Sequence, residues 1–211
     1  MPSGDIEAAL DEAMARGRAW LSAWSTAFDG RVIEPSSPRL VAAAALQHLN
    51  LEHHASILLL ISSRRLASAR ALYRPQIEAH SRGLWIRRCA SDEQVDGFWR
   101  GSFTFPKASV IRKALTGLDP ELWGGLAAIQ WSLWDRLSDQ THGGLAQVTS
   151  RTAANEVAFP FDPVEAIGFL DGSATAALFS AIELADMVGG VDMAGGLLAA
   201  FKQLYPIHDD R

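Results

Sequence analysis

Apolar residues recur along this chain every three to four positions and hardly ever at every second one. That spacing marks helices with one buried side. The stretch 4–28 puts Ile6, Leu10, Met14, Trp20, Leu21 and Trp24 near one side, with Ser3 as its N-cap. A loop rich in turn residues, "DGRVIEPSSPR", leads to a second helix over 38–63, capped by Ser37 and begun by Pro38. A third helix covers 66–90. Pro75 lies inside it, removes one backbone donor and crowds the preceding turn, so a kink or a restart is expected there. Ser91 and Gln94 fit a capping box that opens a short helix over 92–101, and Pro106 starts another over 106–116. Asp119 and Pro120 open a long helix over 120–142 that stops at Gly143 and Gly144. Residues 145–162 are mixed and read as a loop or a short extended piece. Asp162 and Pro163 cap a helix over 163–188, and a last short one covers 191–204. The prediction is an all-α fold. One domain spans 1–211, a helical bundle of about seven or eight helices with an up-down core and short accessory helices.

Composition narrows the setting. A chain of 211 residues, 48% of them hydrophobic, can bury a sizeable core. Cys89 is the only cysteine, which excludes internal disulfides and disfavours a thiolate zinc site; it reads as an inert thiol in a helix. The N-terminus is acidic and lacks the order of a signal peptide. The longest purely apolar runs, such as "ILLLI" at 57–61, fall short of the roughly 20 residues of a membrane span. A soluble cytoplasmic protein with no membrane contact is expected.

Charge is unevenly spread. The chain carries a net −5, yet residues 64–113 hold eleven Arg or Lys against four Asp or Glu, a local +7. This is either an anion-binding face or a set of arginines that pair with acids from elsewhere in the chain.

Three groups of residues are candidates for chemistry. In "DRLSDQTHGG", Asp135, Asp139 and His142 fall within roughly 60° on a helix, and Asp139 is three residues from both Arg136 and His142. A carboxylate beside an imidazole makes an acid or base, and Arg136 suits a phosphate. Arg136 and His142 point about 120° apart on an ideal helix, so a loosened helix end or a second subunit is needed to join them. The other reading is a capped helix end. In "RPQIEAHSR", Arg74, Glu78 and Arg82 share a helix face, as an ion ladder or as a substrate-binding anion pocket in which Glu78 orients the guanidinium groups, with Trp85 as a stacking surface. In "HLNLEHH", His48 and Glu52 share a face, followed by His53 and His54, but no Glu-x-x-His occurs and a bundle metal site is disfavoured. No phosphate-cradling glycine loop, nucleophile elbow or His-Glu-x-x-His is found, so the common nucleotide hydrolases and serine hydrolases are excluded.

The run "RLSDQTH" resembles the Arg-x(4–6)-His signature of the HEPN superfamily, and "ARALYRPQIEAHSRGLWIRRCASDEQV" is similar to a group of bacterial helical proteins with an Arg-Pro-x-x-Glu-Ala element, a group that brings no activity with it. The first resemblance implies a homodimer that acts as a metal-independent endoribonuclease of a toxin or phage-defence system. RNA is then the substrate, no cofactor is needed, and a cognate antitoxin or regulatory protein is a partner. On this resemblance Arg136 steadies the scissile phosphate and His142 moves a proton as the ribose 2′-OH attacks, leaving a 2′,3′-cyclic phosphate. The residue after the family's Arg is often polar and is Leu137 here, which leaves Asp139 to orient the pair. Some members of the superfamily bind without catalysing. The alternative expectation is therefore a non-enzymatic helical module that uses the Arg-rich third helix to hold an acidic partner or a nucleotide.

Overall fold

The computed structural model describes residues 3–31, 37–118, 134–153, 156–158, 161–188 and 190–206, with the backbone alone at 3, 134–136, 146 and 153. The chain is all-α. The described residues form α1 (Ser3–Phe28), α2 (Pro38–Ser62), α3 (Leu66–Arg88), α4 (Asp92–Trp99), α5 (Ala108–Leu118), α6 (Trp134–Thr141), α7 (Leu145–Thr149), α8 (Pro163–Met187) and α9 (Val191–Leu204). One small hairpin, β1 (Thr152–Ala153) and β2 (Glu156–Val157), pairs antiparallel with Thr152 opposite Val157.

The caps expected at Ser37, Ser91 and Asp162 form, and the side chain of Ser3 lies outside the described residues. Ser37 Oγ accepts the Leu40 amide at 3.3 Å, and Asp162 Oδ1 accepts the amides of Val164 and Glu165 at 2.9 and 3.2 Å. Ser91 and Gln94 close a reciprocal capping box at the start of α4. Four expectations meet a different or a partial outcome. Pro75 does not restart α3, which runs through it from Leu66 to Arg88. Pro106 stays in the loop, because α5 begins at Ala108, where the Lys107 carbonyl takes the first helical bonds. The segment 145–162 holds both a helix, α7, and the hairpin, so the described helices number nine. Of the helix expected over 120–142, the part from Trp134 to Thr141 is described; 120–133 lies outside the described residues.

The α2–α3 hairpin and α8 make the centre. α8 packs on α1, α2, α3 and α9. Its inner side is built from small residues, Ser173, Ala174, Ala177, Ser180, Ala181 and Ala185, which let its neighbours come close. α8 is long and apolar enough to cross a membrane by length and composition, but 56% of its most apolar window is buried inside the fold. Three apolar clusters fill the interior. Trp20, Trp24, Leu51 and Phe201 pack around one end of α8, and Leu10, Met14, Ile57 and Leu170 around the other. Leu84, Trp85, Val95, Ile111 and Leu115 join α3 to α4 and α5. Gly83 marks a close approach of α2 to α3, since a Cβ there would lie 2.5 Å from Gln47 Nε2 and 3.2 Å from the Ala43 carbonyl.

Candidate functional site

The interface of α2, α3 and α8 contains a polar ladder of two rungs. In one, the Ser173 hydroxyl donates to Gln76 Oε1 at 2.8 Å, Gln76 Nε2 donates to the Ser173 carbonyl at 2.9 Å, and His54 Nδ1 lies 2.9 Å from Ser173 Oγ. In the other, the Ser180 hydroxyl donates to Gln47 Oε1 at 2.7 Å, His80 Nδ1 lies 2.9 Å from that same oxygen, and Gln47 Nε2 donates to the His80 carbonyl at 3.2 Å. Asn50 Nδ2 adds a bond to the Gln76 carbonyl at 2.8 Å. Each serine proton is already committed to a Gln oxygen, so both histidines donate from Nδ1 and are neutral. Burial pushes each imidazole pKa down to about 4. A His beside a Ser is the pairing that nucleophilic catalysis uses. Here His54 and Ser173 are 0% exposed, so no substrate reaches them and the ladder is structural.

The open face of α3 is different. Glu78 sits between Arg74 and Arg82, with Arg74 Nε on Oε1 at 2.8 Å and Arg82 Nη2 on Oε2 at 2.7 Å. The i, i+4 spacing expected from the sequence therefore brings all three together. They line a cleft of about 330 Å³ with Phe105, Lys107 and Ile111. The Arg82 guanidinium lies 5.0 Å from the centre of the Phe105 ring, which supplies the stacking surface. Trp85 instead stacks on Phe103 in the core, 5.7 Å between centres. Among the described lining residues three cations face one carboxylate.

The end of α6 is a glycine-terminated turn. Gly143 is left-handed at φ +69°, the Gly144 amide donates to the Asp139 carbonyl at 2.8 Å, and the His142 amide donates to the Ser138 carbonyl at 3.1 Å. His142 is exposed. Asp139 is half-buried, and its carboxylate lies against Gly144, where any Cβ would collide with it. The Arg136 side chain lies outside the described residues. This end is tied to α3 by side chains. Pro75 has no N–H to give the Ala71 carbonyl, and the Thr141 hydroxyl lies 3.4 Å from that oxygen and 2.8 Å from the Leu137 carbonyl.

The remaining histidines do not gather. His48 and Glu52 are exposed on α2, His53 is half-buried, and His54 points into the core. Among the described residues no three His, Cys, Asp or Glu side chains come together as a metal ion requires. Cys89 is half-buried, and burial raises its thiol pKa. Sequence reading missed the ladder. Its signal was the seven-residue spacing of Gln47 with His54 and of Ser173 with Ser180, polar residues placed two turns apart within apolar faces.

A family model described as "Family of unknown function (DUF6988)" matches residues 47–205, a stretch that holds the whole ladder and both sides of the α3 cleft. No curated protein and no solved structure matches the chain.

Proposed function

We propose that this chain, which belongs to the family of unknown function DUF6988, is a helical binding module that holds an anionic ligand, a nucleotide or an acidic partner, on the open face of α3. One observation carries this reading: Glu78 fixes the guanidinium groups of Arg74 and Arg82 at the wall of a cleft of about 330 Å³ that Lys107 also lines. A guanidinium already held in place loses little freedom when it binds a phosphate or carboxylate. The test is binding of a labelled nucleotide and of an acidic peptide at low and at high salt. Binding that weakens with salt and is lost in Arg74→Ala and Arg82→Ala, with His142→Ala unchanged, supports the module. Binding indifferent to both arginines rejects it.

A second reading is a cytoplasmic, metal-independent ribonuclease that works as a homodimer under a cognate antitoxin. It is favoured by the exposure of His142 on the glycine turn that ends α6. In this reading His142 transfers the proton, Arg136 holds the phosphate and Asp139 positions the turn. RNA incubated with the protein in EDTA is cut by the wild type and spared by His142→Ala. Cleavage that is absent, or that survives His142→Ala, removes it.

A further inference from the structure

A second cationic site lies at the opposite end of α3 from the Arg82 cleft. At the turn between α2 and α3, a pocket of about 190 Å³ is walled by Arg64, Arg65, Ser68, Arg70, Ser150 and Arg151, with no carboxylate among the described lining residues. Two of these arginines are balanced from behind. Arg64 makes a paired contact with Glu7 at 2.7 and 3.1 Å, and Arg70 pairs with Glu165. Arg65 and Arg151 are exposed and make no ion pair among the described residues. The first turn of α3 offers neither an acidic residue nor a side-chain cap. Like charges gathered at the positive end of a helix repel one another unless an anion joins them. The space equals about six waters at roughly 30 Å³ each, the scale of one phosphate group with part of its hydration shell.

A second observation extends the site. Ala67, Ser68 and Arg151 also wall an adjoining groove of about 370 Å³ that continues between α3 and the α6–α7 turn. Gln140 and Gln147 line that groove. Gln147 Nε2 donates to the carbonyls of Ala67 and Gln140 at 3.0 and 2.8 Å. Gln140 is only 3% exposed, and neither its Oε1 nor that of Gln147 accepts a hydrogen bond from the protein. Buried amide oxygens without donors are costly, and a turn of either amide towards the groove would let a ligand hydroxyl or amino group relieve that cost.

We infer that the α2–α3 turn binds the phosphate of a nucleotide unit through Arg65 and Arg151, and that the sugar and base of that unit occupy the groove over Gln140 and Gln147. The phosphate belongs to a free nucleotide or to an RNA strand, and the chemistry of the pocket is the same for both. This site shares no residue with the Arg74–Glu78–Arg82 cleft and stands or falls separately from it.

The probes are inorganic phosphate, adenosine 5′-monophosphate, adenosine and a short single-stranded oligoribonucleotide, titrated into the full chain carrying Arg74→Ala and Arg82→Ala, so that binding in the cleft is removed. The nucleotide or the oligonucleotide binds this protein more tightly than inorganic phosphate, and adenosine does not bind. Adding Arg65→Ala and Arg151→Ala weakens binding about a hundredfold, roughly tenfold for each charge-assisted contact. Both arginines are exposed, and an unchanged melting temperature verifies that the fold is intact. An oligonucleotide preferred over the mononucleotide identifies RNA as the source, and the reverse order identifies a free nucleotide. Failure of both to bind, or binding unmoved by Arg65→Ala and Arg151→Ala, overturns the proposal. Inorganic phosphate binding as tightly as the nucleotide overturns the part assigned to the groove.

Discussion

Acidification is expected to destabilise this protein through its two core histidines. His54 and His80 are neutral in the fold with pKa values of about 4, against an ordinary value of 6.5 that the unfolded chain restores. The unfolded state thus takes up protons that the folded state refuses. The stabilisation is complete above the unfolded value and drains away as pH falls from about 6.5 towards 4. Each histidine contributes on the order of 3 kcal/mol at the acid end, and the pair about 6–7, as large as the whole stability of many domains. The local cause is visible at His54, whose Nε2 is buried with no partner, so a second proton there has nothing to bond to. His53, half-buried and shifted down chiefly by desolvation, adds in the same direction. Urea unfolding followed by circular dichroism at a series of pH values reads the effect. Between about pH 5 and 6 the unfolding free energy should fall by about 2 kcal/mol per pH unit, close to two protons. A slope under half a proton, or a two-proton slope left intact in His54→Gln, refutes the reasoning. So does a ring-nitrogen NMR spectrum that finds the His54 proton on Nε2.

Three further outcomes test the packing. Gly83→Ala gains about 1 kcal/mol of helix propensity but drives a methyl into Gln47 Nε2 and the Ala43 carbonyl, so a net loss of about 1–2 kcal/mol is expected in chemical denaturation. Thr141→Val keeps the shape and removes the hydroxyl near the carbonyl that Pro75 leaves open; amides of α6 should then exchange with solvent sooner than those of α3, at a cost of about 1 kcal/mol. Glu183→Gln weakens the contacts with Arg87 at 2.6 Å and Arg88 at 2.8 Å in a nearly buried place, and a loss of about 2 kcal/mol in thermal or urea unfolding is expected.

Helix positions were legible because they rest on local signals. The caps at Ser37, Ser91 and Asp162 each act within three residues, and each formed. The Arg74–Glu78–Arg82 face was legible for the same reason, since i, i+4 neighbours meet on any helix. What lay beyond reach was pairing between distant segments. Arg39 reaches the end of α3, donating to the carbonyls of Ile86 and Ala90 at 2.6 Å and to Asp92 at 2.7 Å, across about fifty residues of chain. The basic middle segment divides between the two readings offered for it. Arg64, Arg70, Arg87 and Arg88 pair with Glu7, Glu165, Glu183 and Asp186 from outside the segment, while Arg74 and Arg82 stay with Glu78 on the cleft. At Pro75 the distant partner is again what the sequence hides, since the carbonyl left without a donor lies beside a hydroxyl from another helix.

The ladder also bears on how such a chain can change over generations. Each rung draws one member from each of three helices, so no single exchange there is neutral: a lone hydrophobic replacement takes a hydrogen bond from at least one buried polar group that was satisfied before. Drift at position 54 is thereby yoked to drift at 76 and 173, and drift at 80 to drift at 47 and 180. Among descendants of a common ancestor these two triplets should be inherited as units or replaced as units.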